Sequence, residues 1–225
     1  MTARNLIAIF ASELVGTFFL CLAATMSTMG AIVPASVLMV MIFAVGPVSG
    51  AHFNPVVTIC VTIFEGLKAK SAIKALIYFL AQAAGTLLAV FWVYAMSEFP
   101  ARHHGSVEWD KRFSKLLAAE ATGTLALVYV ILNVAVIPKE GNNYFGAAIG
   151  FTVFGMASAL AAFDPFGLFN PSVTLAVVCL GGRASWLELL AVVPQLMGGL
   201  LAVGLAKLNE RAMHRKEISQ PLLIH

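Results

Sequence analysis

The chain has 225 residues, 60% hydrophobic and 11% charged, with a formal net charge of +3 and a mean hydropathy of +0.90. Soluble domains carry roughly 25% charged residues, so the deficit excludes an ordinary soluble domain and points to a protein embedded in a lipid bilayer. The small positive excess comes with no basic face and gives nucleic acid no footing. Cys21, Cys60 and Cys179 all sit in apolar runs. Their odd number and the lack of a C-x-x-C spacing argue against a disulfide framework or a cysteine metal site, leaving them as small core hydrophobes.

A membrane span needs about 20 apolar residues. Arg4 is followed by an apolar run from Leu6 to Met26, too long for a signal-peptide core of 7–15 residues and interrupted by Glu13, so it reads as a retained first span over 5–28. A second, shorter segment at 31–48 runs directly into Asn54-Pro55. A third follows at 72–96, after a joint carrying Lys68, Lys70 and Lys74. The polar joint 97–115 holds Glu98, Arg102, His103, His104, Glu108, Asp110 and several basic residues. Spans at 116–137 and 144–163 flank the turn Pro138 to Asn143, and the fifth again runs into an Asn-Pro pair, Asn170-Pro171. A sixth span, 185–207, precedes a charged tail at 208–225. With the N-terminus inside, Arg4, Lys68, Lys70, Lys74, Lys139, Lys207, Arg211, Arg215 and Lys216 fall on the inner side. They outnumber Arg102, Lys111, Arg112, Lys115 and Arg183 outside, which favours cytoplasmic N- and C-termini.

The two Asn-Pro elements, about 54–64 and 170–180, are half-length: eleven residues make roughly 16 Å. Each reads as a helix start with Asn as N-cap and Pro at the first helical position. A helix start at membrane depth leaves N–H groups that lipid cannot satisfy, so it must be buried in protein or line a wet cavity. Two of them meeting end to end complete a seventh, split span. The landmarks recur in order: Glu13-Leu-Val-Gly16-Thr17 as Glu120-Ala-Thr-Gly123-Thr124, the Asn-Pro-x-Val-Thr elements, then Gln82-Ala-Ala-Gly85 as Gln195-Leu-Met-Gly198. Three spans plus a re-entrant half span is an odd number of crossings, so the second copy is inserted upside down. The chain therefore reads as an all-α membrane protein of six transmembrane helices plus two re-entrant half helices. It forms a single domain over 1–225 with inverted repeats at about 5–96 and 116–207.

Both half-helix dipoles aim their positive ends, each about half a charge, at the centre. A cation is repelled there, whereas a neutral solute accepts hydrogen bonds from the Asn54 and Asn170 amides. Water held in this way donates outward, which interrupts proton hopping along a file.

The stretch Ser49-Gly50-Ala51-His52-Phe53-Asn54-Pro55-Val56-Val57-Thr58 closely resembles the first pore signature of aquaporins and aquaglyceroporins, which usually read Asn-Pro-Ala-Val-Thr, the NPA motif. Through the paired Glu, Asn-Pro and Gln-x-x-Gly landmarks the resemblance covers residues 5–207. It implies passive movement of water or small neutral solutes, a homotetramer with one pore per subunit, and no cofactor. It also assigns Glu13 and Glu120 to bracing the re-entrant loops by accepting hydrogen bonds from loop N–H groups.

The departures concern selectivity. The alanine of the motif is Val56 in Asn54-Pro55-Val56 and Ser172 in Asn170-Pro171-Ser172. The arginine that normally follows the second motif is Val173, which can neither donate hydrogen bonds nor carry the charge that helps exclude protons and cations. The second loop is shorter than usual, so the loop position of the filter falls to Gly167. The fifth-span position lies within Ala157 to Leu160, with Ser158 taken to represent it, and counting along the second span gives Pro34. A filter of Val173, Gly167, Ser158 and Pro34 is wider or more apolar than that of a strict water channel, making glycerol, urea, ammonia or peroxide candidate cargo. Phe163, Phe166 and Phe169 are the side chains placed to narrow it.

Gly16, Gly85, Gly123 and Gly198 suit close helix crossing in lipid. His52 either faces the inner vestibule or bonds loop carbonyls. His103-His104 lacks a helical i, i+4 partner and reads as solvated loop, so no metal site is assigned. The basic residues from Arg211 to Lys216 read as a juxtamembrane patch near anionic lipid. With no nucleophile–base pair or phosphate loop, the chain does not read as an enzyme. Two other readings remain: a secondary transporter, since inverted repeats with broken helices also build those, and a non-conducting relative closed by dewetting at Val173.

Overall fold

The computed structural model describes residues 2–96, 111–138, 142–164, 167–180 and 186–219. The expected joint at 97–115 with His103 and His104 falls almost wholly outside them, as do Phe166, Arg183 and the end of the tail. Eight α-helices form among the described residues: α1 (Ala3–Met26), α2 (Ile32–Ser49), α3 (Pro55–Phe64), α4 (Ala69–Met96), α5 (Lys111–Ile131), α6 (Phe145–Leu160), α7 (Pro171–Leu180) and α8 (Val192–Ser219). A π-helical turn, Leu132–Val136, extends α5, and a 3-10 turn, Trp186–Ala191, leads into α8. π-helical backbone leaves carbonyls without i+4 partners, and Asn142 Nδ2 donates to one of them, Val134 O, at 2.7 Å.

Among the described residues, five helical stretches are long and apolar enough to cross a membrane: α1, α2, α4, α5 with its π turn, and α8 with the end of the 3-10 turn. The fifth expected span, 144–163, is a helix of only 16 residues, about 24 Å, and a turn over 161–163 completes it. α8 departs from the sequence reading in the other direction. It continues past 207 to Ser219, because neither Gly nor Pro interrupts residues 205–219 and their Glu, Lys, Arg and Ala residues favour helix.

The polarity of the fold is inverted relative to a soluble protein. Ile7, Phe91 and Met197 are 65–70% exposed, while Glu13, Thr17, Gln82, Thr86, Glu120, Thr124 and Gln195 are fully buried. Large exposed apolar surface belongs against lipid, and most buried polar groups find hydrogen-bond partners within the protein.

α1 packs on α4 and α5 on α8, and a glycine permits each close approach. A Cβ at Gly85 would stand 2.5 Å from Leu14 O, and one at Gly198 would stand 2.1 Å from Ala121 O. Gly16 and Gly123, expected to serve helix crossing as well, instead seat aromatic rings. A Cβ at either would lie 2.0 Å from Cε1 of Phe53 or Phe169 respectively. α3 packs against α4 and α8, and α7 against α1, α4 and the 3-10 turn before α8, so each half helix is gripped by elements from both halves of the chain. Cys21 and Cys60 are buried as expected of small core residues, whereas Cys179 is exposed.

Candidate functional site

Asn54 and Asn170 meet at the centre of the fold. Asn54 Oδ1 accepts from Val56 N at 2.9 Å and Val57 N at 3.4 Å, and Asn170 Oδ1 accepts from Ser172 N at 2.9 Å. With Pro55 and Pro171 opening the helices, these bonds cap the starts of α3 and α7. Each amide nitrogen then reaches across to the other half: Asn54 Nδ2 donates to Phe169 O at 2.8 Å, and Asn170 Nδ2 donates to Phe53 O at 2.9 Å. A side-chain amide has two N–H groups, so each asparagine retains a second donor.

The loops before these asparagines are held in strained backbone. Phe53 and Phe169 have φ of 50° and 46°, a left-handed conformation that is a genuine outlier for a bulky residue. Two buried carboxylates hold it. Glu13 Oε1 accepts from His52 N and Ser49 Oγ, and its Oε2 accepts from Phe53 N and Gln82 Nε2, at 2.8–3.0 Å. Glu120 accepts from Leu168 N, Phe169 N and Gln195 Nε2 at 2.8–2.9 Å. Gln82 and Gln195 also donate to Thr58 and Thr174 at 3.0 Å, joining the long helices to the half helices.

The two networks differ where the halves of the sequence differ. Beside Glu13 stands the Ser49 hydroxyl, and Tyr78 OH donates to Ser49 O. Beside Glu120 stands Asp164, buried and hydrogen-bonded to it.

One cavity of about 900 Å³ runs through the fold past both asparagines. Pro34, Ser158, Gly167 and Val173 all line it, on the side of the asparagines where α2 begins and α6 ends. Ala157 and Leu38 share that side, and the described lining there carries no charge. Gly167 (φ 53°) lies flat against α6, where a Cβ would be 2.6 Å from that of Ala157. The charged lining residues, Glu65 and Lys74, belong to the opposite end, with Val136, Pro138 and Asn142.

Of the aromatics placed by sequence to narrow the cavity, Phe169 is buried against Gly123. Phe163 is half-exposed beneath Lys115, and neither lines the cavity. Val56 and Ser172 are buried and turned away from it, Val56 lying where a Cβ on Gly199 would meet it at 2.7 Å. The His52 ring lines the cavity. Its partners are Thr58 Oγ1, 3.1 Å from Nδ1, and the Tyr78 ring at 4.5 Å, rather than loop carbonyls.

Sequence reading missed several residues of this site. Ser49 and Tyr78 stand outside the repeated motifs. The partnership of each Phe with a Gly was signalled by Phe preceding Asn-Pro, and Gly following Glu by three, in both copies.

Comparison with known proteins agrees with this architecture. The family profile described as "Major intrinsic protein" matches residues 2–168. The chain is 29% identical over 185 residues to aquaporin NIP2-1 of Zea mays, covering 81% of this chain and 61% of that protein. It is 28% identical over 221 residues to aquaporin NIP1-1 of Oryza sativa subsp. japonica, covering 90% of this chain and 75% of that protein. The matches span 40–62% of the length of the first four curated relatives. The X-ray structure of the aquaglyceroporin from Plasmodium falciparum superposes with a TM-score of 0.68 at 19% identity, covering 90% of this chain and 99% of that one, which establishes a shared fold. The chain is thus an integral, multi-pass membrane protein, and it belongs to the major intrinsic protein family, that of the aquaporins.

Proposed function

We propose that this chain is a passive channel for water and small uncharged solutes. The observation that carries the reading is the continuous cavity of about 900 Å³ passing both half-helix starts. The second N–H of Asn54 and of Asn170 is the donor offered to a solute, and the converging positive helix ends disfavour cations. Glu13 and Glu120 brace the loops that present those donors, and the backbone N–H of His52 is one of the groups braced. Val173, Gly167, Ser158 and Pro34 form the outer filter. Without an arginine among them the filter selects by size and polarity rather than by charge, which suits solutes larger than water such as glycerol or urea. The names of the relatives support the class of activity. The family also favours a homotetramer, and the distribution of Lys and Arg favours cytoplasmic N- and C-termini.

The experiment that separates a channel from a transporter is solute uptake into proteoliposomes over a wide concentration range, with and without Na⁺ and H⁺ gradients. Uptake linear in concentration and indifferent to the gradients is expected. Saturation or gradient-driven accumulation would overturn the reading.

A further inference from the structure

α8 runs unbroken for 28 residues, about 42 Å at 1.5 Å per residue, which exceeds a ~30 Å hydrocarbon core by about two turns. Its apolar sequence ends at Leu208, and Lys207, Arg211 and Arg215 are spaced at i, i+4 and i+8, one above another on a single face. Two contacts fix where that face points. Lys207 Nζ donates to Phe64 O at 2.8 Å and lies 4.1 Å from the centroid of the Phe64 ring, so the stripe looks toward the end of α3. Asn209, on the opposite side, is held to α5 and its π turn through Tyr129 OH at 2.6 Å and Asn133 Oδ1 at 2.7 Å.

Beyond the end of α3 the chain supplies more positive charge. Lys68 and Lys70 are exposed within six residues of Phe64, and Arg211 and Arg215 are exposed on α8. Against these cations stand Glu65 and Glu210, the latter 3.4 Å from Lys207. Lys74 turns elsewhere, over the Tyr78 ring and into the cavity mouth, and His214 on α8 has an interaction of its own. Flanking these cations in sequence is an apolar border of Leu67, Ile73 and Leu208, each 58–72% exposed. A soluble anion has no use for that border, whereas a phospholipid has acyl chains to lay along it.

We propose that the Lys207, Arg211 and Arg215 stripe, with Lys68 and Lys70 beside it, is a docking surface for the phosphate headgroups of anionic phospholipids. The lipids belong to the leaflet at which α8 emerges. Guanidinium forks match phosphate oxygens, and clustered basic residues at a helix end attract anionic lipid through charge. This surface is independent of the conduction reading.

To test it, the full chain is reconstituted in vesicles of equal phosphatidylserine and phosphatidylcholine, extracted in mild detergent, and its retained phospholipid quantified. The expected result is phosphatidylserine enriched roughly fivefold over phosphatidylcholine at low salt, falling toward parity at about 0.5 M NaCl. The Arg211→Gln/Arg215→Gln double variant, altered beyond the apolar part of α8, is expected to retain the two lipids within about twofold of each other, and Lys68→Gln/Lys70→Gln to lower the ratio in part. Inorganic phosphate at about 10 mM is expected not to displace the lipid, which the acyl-chain border also holds. Equal retention by the unaltered chain, enrichment unchanged in the arginine double variant, or displacement by inorganic phosphate would each overturn the proposal.

Discussion

The Asn54 amide is bonded to the carbonyl of Phe169, 115 residues away, at 2.8 Å, and Asn170 returns the arrangement to Phe53 at 2.9 Å. Each half helix is therefore anchored by the loop of the other, and neither can shift alone. Asn54→Ala removes an N-cap worth about 1 kcal/mol and leaves Phe169 O without its donor at a further cost of about 1–3 kcal/mol. The expected result is a clear fall in the melting midpoint in detergent for Asn54→Ala, and a similar fall for Asn170→Ala. An unchanged midpoint in either would mean that the exchanged bonds contribute nothing to stability.

Gly16 and Phe53 form a lock of ring and gap. Because a Cβ at residue 16 would sit 2.0 Å from the Phe53 ring, Gly16→Ala is expected to destabilise by about 1–3 kcal/mol through overpacking. In a Phe53→Ala background the ring is absent, and the same change is expected to be close to neutral. A double-mutant cycle measures this coupling, and additive effects would show that the ring does not depend on the gap.

Glu13 and Glu120 occupy matched positions with unmatched surroundings. Either oxygen of Glu13 accepts two donors, so Glu13→Gln sets its NH₂ against two of them whichever way it turns. Glu120→Gln, with its NH₂ in place of Oε1, faces only the Leu168 N–H, while the remaining oxygen keeps Phe169 N and Gln195 Nε2. Glu13→Gln is expected to cost about 3 kcal/mol or more, and Glu120→Gln distinctly less, as read from denaturation midpoints. The reverse order would count against the hydrogen-bond assignment around the two carboxyl groups.

How much of this was legible in the sequence depended on the length scale of the signal. Apolar runs located the long helices, because a bilayer demands them. The paired Asn-Pro elements located both half helices to within a residue or two, because Asn and Pro have positional meaning at a helix start. Glu13, Glu120, Gln82 and Gln195 were legible as repeated landmarks. Contacts made outside the repeat were not. Tyr78 corresponds to Ala191 when Gln82 is set on Gln195, so no symmetry announced it. Lys207 reaches Phe64 across 143 residues, which no local pattern records. The extension of α8 was hidden because its charged residues read equally well as a tail. Gly16 and Gly123 were recognised as small but assigned to the wrong neighbour, since composition shows that space is needed and not what fills it.

Val173 lines the uncharged end of the cavity with Pro34, Ser158 and Gly167. Val173→Arg is expected to reduce glycerol and urea flux at least about tenfold while sparing water, by narrowing the filter and adding fixed positive charge. Glycerol flux and proton leak both unchanged in Val173→Arg would remove Val173 from the filter.

The most direct test of the channel reading is stopped-flow light scattering on proteoliposomes of the unaltered chain, with water, glycerol and urea gradients run in parallel. Rapid shrinkage followed by fast solute-driven reswelling, both well above bare lipid and with a low activation energy, is the expected result. Scattering indistinguishable from protein-free vesicles in all three gradients would contradict it and leave a membrane protein of this family that does not conduct.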